Sequence, residues 1–272
     1  MKKQSLLLFI GLLFFVGCKN NSNEVEWKFV KKIELENISP TGIAIQNNFL
    51  WLSDVKNNRV IKIDLSGNIV EEYSDIKRPM HISIYKSKIF VPEYLTDNII
   101  TITEGKIDSL QLNEKPNAPS GVAVNDSIIA VADFYNHRII LIKKGNIKII
   151  GKEGHKKGEI YYPTDVALLN DKVYVADAYN NRVQVFDYNG NPLKVIGDKD
   201  KINVATGIEV TEDNIFITDF EGSRILIYNL KGGLIKILIN NFNKPTDITS
   251  NKNKIYVSNY GDNSVSVISV GQ

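Results

Sequence analysis

The chain has 272 residues, of which 43% are hydrophobic, and its 33 basic and 31 acidic residues give a formal net charge of +2. A nearly neutral chain has no global basic field to collect phosphates, which speaks against a nucleic-acid partner. The chain contains one cysteine, Cys18, so no internal disulfide can form and the fold must depend on its apolar core.

Residues 1–17 are typical of a secretory signal. Lys2 and Lys3 precede an apolar stretch that runs from Leu6 to Val16. Such a stretch is shorter than the roughly 20 residues that span a bilayer, but it suits the apolar region of a signal peptide. Removal of this segment would take both lysines with it and leave 31 basic residues against 31 acidic ones.

The segment from Phe15 to Cys18, Phe-Val-Gly-Cys, resembles a bacterial lipobox, with Phe15 where Leu is usual. The resemblance implies cleavage before Cys18 and lipidation of its sulfur. The alternative is ordinary signal cleavage that leaves an idle thiol. Residues 18–25 would then be the lipidated cysteine and a polar tether, and we expect a protein of the cell envelope, on the periplasmic or outer-membrane face, that contacts the membrane through its lipid.

From residue 26 to residue 272 the chain is repetitive. A Pro, once replaced by Ala, is followed by two or three small or polar residues and an apolar run, and the phrase returns at intervals of 39, 40, 44, 42 and 40 residues. Repeats of this length fit one four-stranded sheet each. The phrase begins at Pro40, Pro79, Pro119, Pro163, Ala205 and Pro245.

Each repeat contains short runs that predict β-strands. In the fourth repeat these runs are Asp165–Leu168, Lys172–Ala176, Arg182–Phe186 and Pro192–Ile196. They are rich in β-branched and aromatic residues, and turn residues such as Asn189 and Gly190 divide them. The predicted class is therefore all-β.

A ring of such sheets leaves only short edges when it closes on itself. The sixth repeat reaches Ser264–Ile268 without a fourth run, whereas the strand-like stretch Trp27–Ile33 precedes the first repeat and has no repeat of its own. We therefore expect a six-bladed β-propeller in which the N-terminal strand completes the last blade.

The stretches Tyr162–Ala167, Val173–Asp177 and Asn180–Asp187 resemble the NHL repeat, which builds six-bladed propellers. The resemblance covers residues 39–270 and is strongest in the first, third, fourth and fifth repeats. Together with the lipobox, it makes the chain similar to the six-bladed propeller lipoproteins of Gram-negative bacteria, most of which lack an assigned activity.

An acidic position follows the second strand of most repeats, and an arginine comes five residues later. The four repeats that keep Asp also keep Arg, while the two repeats that change the acid lose the arginine. This joint loss predicts a structural Asp–Arg brace across the turn; a ring of charges that faces a ligand is the alternative. The predicted pairs are Asp54 with Arg59, Asp133 with Arg138, Asp177 with Arg182, and Asp219 with Arg224.

The second repeat departs from the pattern at two polar positions. Glu93 lacks its arginine, and His81 replaces the Gly or Asp that heads the innermost strand. Both lie where a propeller opens at one end of its central channel. We therefore expect His81 and Glu93 to share the channel mouth as ligand-binding residues.

The heads of the six inner strands alternate between glycine and a polar residue. His81, Asp165 and Asp247 come from the second, fourth and sixth repeats, which lie roughly 120° apart in a regular six-bladed ring. Three such side chains could hold a divalent metal ion. The alternative, favoured here, is that the aspartates bond backbone amides and that no cofactor is needed.

Aromatic residues cluster beside the acidic positions and suit stacking on sugars, peptides or ring-bearing ligands. As ligand-binding candidates we take Tyr94, Phe134, Tyr135, Tyr179, Phe220 and Tyr260.

Two functions follow from these features. No nucleophile with a base, metalloprotease motif or free thiol is visible, which favours a lipid-anchored binding or scaffold module that presents the channel mouth to an envelope protein or a small ligand. The alternative is a metal-dependent periplasmic enzyme, lactonase- or lyase-like, that uses His81 and nearby acidic residues.

Overall fold

The computed structural model of the protein describes residues 26–271. The predicted signal sequence, Cys18 and the tether lie outside the described residues. Within the described part of the chain, no helix has the length and apolar character needed to cross a bilayer.

The described chain forms six antiparallel four-stranded sheets, which confirms the predicted all-β propeller. In five of them the strands follow the chain in order from the innermost to the outermost strand. Blade one contains β2 (Pro40–Gln46), β3 (Phe49–Asp54), β4 (Arg59–Ile63) and β5 (Ile69–Tyr73). Blade two contains β6 (Ser83–Tyr85), β7 (Lys88–Glu93), β8 (Asn98–Thr103) and β9 (Lys106–Ser109).

The remaining blades repeat this plan. Blade three contains β10 (Pro119–Val124), β11 (Ile129–Asp133), β12 (Arg138–Lys143) and β13 (Asn146–Ile150). Blade four contains β14 (Pro163–Leu169), β15 (Lys172–Asp177), β16 (Arg182–Asp187) and β17 (Pro192–Ile196). Blade five contains β18 (Ala205–Val210), β19 (Asn214–Asp219), β20 (Arg224–Asn229) and β21 (Leu234–Leu238). Blade six contains β22 (Pro245–Asn251), β23 (Lys254–Asn259), β24 (Ser264–Gly271) and, outermost, β1 (Glu26–Glu34).

The N-terminal strand closes the ring, as the sequence predicts. β1 pairs antiparallel with β24, from Glu26 opposite Gly271 to Glu34 opposite Ser264, with one irregularity between Phe29 and Lys31. Because the outer strand of blade six comes from the start of the described chain, the ring is held shut by sheet hydrogen bonds rather than by loops.

Apolar side chains from facing sheets fill the space between each pair of neighbouring blades. Within the described residues there are six such clusters, one at each blade interface. At the interface of blades three and four, for example, Leu141 packs with Val175 and Phe186. Successive side chains of a strand point to opposite faces of the sheet, so each sheet presents side chains on both faces. Both faces are covered, because each blade packs against two neighbours.

The inner strands of neighbouring blades contact one another and surround the central channel. The start of each inner strand pairs with the end of the second strand, as in Pro40 opposite Asp54 and Pro163 opposite Asp177. These strand starts therefore lie on one face of the ring, together with the turns between second and third strands. We call this side of the molecule the mouth face.

Candidate functional site at the channel mouth

The acidic position of each repeat lies on the mouth face and performs the same task in all blades. Its side-chain oxygen accepts a hydrogen bond from a backbone N–H of the loop that enters the blade, 15 or 16 residues earlier in the chain. The acceptors are Asp54, Glu93, Asp133, Asp177, Asp219 and Asn259.

In four blades the arginine five residues later donates from Nε to the same carboxylate. The Nε–Oδ2 distances are 2.7 Å for Arg59 and Asp54, 2.6 Å for Arg138 and Asp133, 2.8 Å for Arg182 and Asp177, and 2.7 Å for Arg224 and Asp219. The four aspartates are fully buried, and a buried carboxylate needs such a partner. We call these four pairs the rim braces.

Glu93 lies on the mouth face, opposite Pro79 of the same blade, and local hydrogen bonds occupy its carboxylate. Glu93 Oε1 accepts the backbone N–H of Lys77 at 2.8 Å, and Oε2 accepts the hydroxyl of Thr96 at 2.9 Å. Both oxygens are engaged in the rim position of the repeat. Glu93 is therefore a local acceptor that replaces Asp, and Thr96 stands in for the missing arginine.

The alternation of glycine and polar residues at the heads of the inner strands has a steric cause. A Cβ atom on Gly42 would lie 2.3 Å from Met80 O, one on Gly121 would lie 2.7 Å from Asp165 Oδ1, and one on Gly207 would lie 2.7 Å from the Cα of Asp247. Each glycine thus makes room for the strand head of the next blade. Three polar side chains fit around the axis because three glycines leave space for them.

The structure brings His81, Asp165 and Asp247 together. Their ligating atoms all lie within 4.8 Å of one another, and all three residues are buried. Asp165 accepts the N–H groups of Val166 at 2.8 Å and Ile208 at 2.9 Å. We call these three residues the axial cluster.

Asp247 repeats this arrangement toward the first blade. Its two oxygens accept the N–H groups of Ile248 and Ile43, each at 2.8 Å. Each axial aspartate therefore bonds its own strand and the inner strand of the next blade, which is the amide-binding role considered from the sequence.

The axial cluster has unusual protonation equilibria. Burial lowers the pKa of His81, but the carboxylates of Asp247 and Asp165 outweigh burial and raise it to about 9. Burial raises the pKa of Asp247 to about 7, against the opposing pull of His81. The imidazole thus carries its proton at neutral pH because two carboxylates face it.

A third acid lies farther along the channel and was missed by the sequence analysis. Glu209 is two residues beyond Gly207, where the other inner strands carry Ala, Ser or Thr, and its Oε1 accepts the hydroxyl of Ser250 at 2.6 Å. Burial raises the pKa of Glu209 to about 7. Comparing the second position after each strand head would have found this single charged residue.

Hydroxyl groups link the inner strands one residue before each head. Ser120 donates to the carbonyl of Pro163 at 2.8 Å, and Thr206 donates to that of Pro245 at 3.1 Å. Thr246 donates to the carbonyl of Pro40 at 3.2 Å, so the links continue across the closure. These hydrogen-bonded links are interrupted at blades one and two. There the hydroxyl of Thr41 has no partner among residues 26–271, and Met80 has no hydroxyl.

A cavity of about 490 Å³ opens on the mouth face at this break. Thr41, Met80 and Thr246, which directly precede the heads of their strands, form part of its lining, so the cavity lies next to the axial cluster. We call it the mouth cavity. Its other lining residues are Val55, Lys56, Asn58, Arg78, Leu95, Phe220 and Tyr260.

The lining of the mouth cavity contains two basic side chains and no acidic one. The ammonium group of Lys56 lies 5.2 Å from the ring centre of Tyr260, and the guanidinium of Arg78 lies 4.4 Å from that of Tyr94. Neither basic side chain forms an ion pair with another described residue. Phe220 and Tyr260, two of the predicted ligand-binding aromatic residues, line the mouth cavity.

The other predicted aromatic residues form a separate cluster on the mouth face. Phe134 contacts Tyr94, Tyr135 and Tyr179, with ring centres 5.8, 5.1 and 6.3 Å apart. Tyr162 joins them, 4.9 Å from Phe134. Tyr135 and Tyr179 are about half exposed, while Tyr94 connects this cluster to Arg78 and hence to the mouth cavity.

Comparisons with known proteins agree with the fold. The NHL repeat family matches residues 161–186. The fourth blade carries an NHL repeat.

Among solved structures, virginiamycin B lyase from Staphylococcus aureus is 18% identical, with a TM-score of 0.66 over 90% of this chain and 99% of that one. A protein of unknown function from Bacteroides thetaiotaomicron is 14% identical, with a TM-score of 0.74 over 91% of this chain and 77% of that one. At these identities the likeness shows the propeller fold alone.

An uncharacterized protein of Acanthamoeba polyphaga mimivirus is 26% identical over 156 residues, which is 57% of this chain and 35% of the relative. This chain therefore matches about a third of the relative's length.

Proposed function

We propose that this protein is a ligand-binding propeller of the cell envelope whose mouth cavity binds a small anionic molecule with an apolar or aromatic part. The single observation that carries the proposal is the mouth cavity itself, which combines concave shape, apolar side chains and basic groups without acidic neighbours. Pockets for small molecules are typically of this size, apolar for the most part, with a few polar groups that fix orientation.

The basic residues of the mouth cavity define the charge of the ligand. Four of the five arginines of the chain belong to rim braces. The remaining one, Arg78, stacks on Tyr94 and faces the cavity beside Lys56. Neither Arg78 nor Lys56 has an anionic partner among residues 26–271, and a carboxylate, sulfonate or phosphate of the ligand would supply one.

The apolar residues define the rest of the ligand. Leu95 is 63% exposed at the cavity, and Met80, Phe220 and Tyr260 offer further apolar surface. An exposed apolar side chain next to aromatic rings favours a ligand that covers them. The unpartnered hydroxyl of Thr41 would provide one directional contact.

The location follows from the sequence rather than from the described residues. A signal segment, lipidation at Cys18 and a short tether would hold the propeller at a membrane of the envelope, as in the lipoproteins that the sequence resembles. An envelope protein that presents an anionic apolar group would bind in the same way as a free small ligand.

Fluorescence titration with anilinonaphthalene sulfonate tests the proposal, because this probe carries one sulfonate and an aromatic body. We expect saturable binding at one site to the folded protein. Lys56→Gln should weaken binding about tenfold, since a charge-assisted contact contributes about 1.5 kcal/mol. Phe220→Ala should weaken it further by removing apolar surface.

The matched control is Lys252→Gln. Lys252 is an exposed lysine in the turn between β22 and β23, on the face opposite the mouth. Its replacement should leave the affinity unchanged. Equal affinity of all variants, or absence of saturable binding to the wild type, would refute the proposal; circular dichroism spectra must show that each variant is folded.

A second candidate function, a metal-assisted enzyme, is favoured by one observation. The axial cluster places a histidine and two carboxylates next to the mouth cavity, and propellers of this fold include the lyase noted above. Breakdown of a cyclic ester or lactone that depends on added metal and is lost in Asp165→Asn would support this candidate. Turnover that persists in that variant would exclude the axial cluster as its site.

A further inference from the structure

The axial cluster contains a buried nitrogen that lacks a partner. Nδ1 of His81 has no hydrogen-bond partner among residues 26–271, although the residue is only 4% exposed. The nearest carboxylate oxygen, Asp165 Oδ2, lies 3.4 Å away, which is long for a charge-assisted hydrogen bond. A buried polar atom without a partner costs folding free energy and needs a reason.

The two carboxylates are oriented by the backbone and still have electron pairs to offer. Each of the four oxygens of Asp165 and Asp247 accepts one backbone N–H. A carboxylate oxygen has two lone pairs, so one remains on every oxygen. Fixed outer hydrogen bonds of this kind are what hold metal-binding carboxylates in place.

The cluster is built into the ring by the alternating glycines. Gly121 and Gly207 leave the space that Asp165 and Asp247 occupy, so the three polar residues converge from alternate blades. The ligating atoms lie within 4.8 Å of one another, which is about twice the length of a metal–oxygen bond. Small side-chain rotations would bring all three atoms onto one ion.

We infer that His81, Asp165 and Asp247 bind a single divalent transition-metal ion on the channel axis. One imidazole nitrogen and two carboxylate oxygens suit Zn²⁺ or Mn²⁺, whereas Ca²⁺ prefers an all-oxygen set with more ligands. On binding, His81 would release the proton that it carries at neutral pH to solvent; its Nδ1 would then engage the ion, whose charge would balance the two carboxylates. Three protein ligands leave at least one position for water or a bound anion.

The channel provides the entry path for the ion. It has a volume of about 260 Å³ and is lined by the six inner strands, with Glu209 beyond the axial aspartates. Approach from the mouth face passes Lys56 and Arg78, which repel cations, whereas approach through the channel passes an acid. A cation therefore enters more readily from the side of Glu209.

Isothermal titration of the full chain, stripped with EDTA, tests the inference with Zn²⁺, Mn²⁺ and Ca²⁺ as separate probes. We expect one site for Zn²⁺ or Mn²⁺ and weaker binding of Ca²⁺. His81→Gln and Asp165→Asn should each weaken binding at least tenfold and abolish the rise in melting temperature that the metal produces. His155→Ala, which removes an exposed histidine outside the cluster, should leave both unchanged.

Two variants keep the test decisive if one does not fold, because His81→Gln and Asp165→Asn disturb different blades. Absence of a one-site isotherm for both Zn²⁺ and Mn²⁺ would overturn the inference. Equal affinity in the wild type and in a folded cluster variant would do the same. The inference does not depend on the mouth-cavity ligand, so failure of anilinonaphthalene sulfonate to bind leaves it standing.

Discussion

The rim braces and the axial cluster use the same residue type for different purposes. Each rim aspartate is fully buried, and a guanidinium of its own blade lies within 2.6 to 2.8 Å. Among residues 26–271, no arginine or lysine forms an ion pair with either axial aspartate. The basic side chain that faces them there is His81, which comes from another blade.

Recurrence of a residue together with its partner separates structural from functional residues in a repeat. A residue that recurs with its partner in the same blade, such as Asp133 with Arg138, stabilises that blade. A charged residue of a type found at that position in no other blade, such as His81 or Glu209, has no such task.

Removal of a rim brace should have the largest effect. Asp177→Ala deletes the acceptor for Tyr161 N–H, for Arg182 and for Gln184. Because it leaves a buried guanidinium without its carboxylate, we expect a loss of about 3 to 5 kcal/mol in the free energy of unfolding. Denaturant titration measures this loss.

The control for the brace is Asp213→Ala, since Asp213 is exposed and surface changes are usually within about 0.5 kcal/mol. A loss below about 1 kcal/mol for Asp177→Ala would mean that the braces are not structural.

A change at the axis that spares every charge should have the next largest effect. In Gly121→Ala the new Cβ would meet Asp165 Oδ1 at 2.7 Å and Thr164 O at 2.9 Å. We expect a loss of about 1 to 3 kcal/mol from overpacking, measured by denaturant titration. Gly271→Ala, whose Cβ would have no neighbour nearer than 3.5 Å, should be close to neutral; similar losses for both would contradict the steric account.

Glu209→Gln should change stability in a pH-dependent way. Burial raises the pKa of Glu209 to about 7 from its ordinary value of 4.5, and Asp165 adds to the effect. The unfolded chain therefore loses the proton first, and the wild type loses stability as pH rises from 4.5 to about 7. The variant avoids this loss.

The melting temperatures, measured in EDTA, check this sign. Glu209→Gln should equal the wild type near pH 4 and exceed it near pH 8, where the gain is about 1 to 3 kcal/mol. A difference of the same size at both pH values would rule out titration of Glu209 as the cause.

The sequence predicts the ring because each repeat of the Pro phrase corresponds to one blade, and the blades pack side by side. The interval of the Pro phrase and the unmatched stretch Trp27–Ile33 are enough to predict six blades and the pairing of β1 with β24. The joint loss of Asp and Arg predicts contacts such as Arg59 with Asp54, because both partners lie in one blade at a fixed spacing.

Departures from the repeat pattern and contacts between blades are harder to predict. Glu93 stands out in the sequence, yet Lys77 and Thr96 give it a local partner that spacing alone does not reveal. The mouth cavity was missed because it joins residues of blades one, two, five and six. Its best signal was Arg78, the one arginine outside the Asp–Arg pattern.

The proposed function requires that small-ligand binding lies at the mouth cavity and not in the rim braces, and two arginines test this requirement in one measurement. Arg78→Gln and Arg138→Gln are titrated with anilinonaphthalene sulfonate under identical conditions. We predict that Arg78→Gln weakens binding about tenfold, whereas Arg138→Gln, which breaks the ion pairs with Asp133 and Glu114, binds with unchanged affinity. Equal weakening in both variants, or weakening in Arg138→Gln alone, would contradict the account.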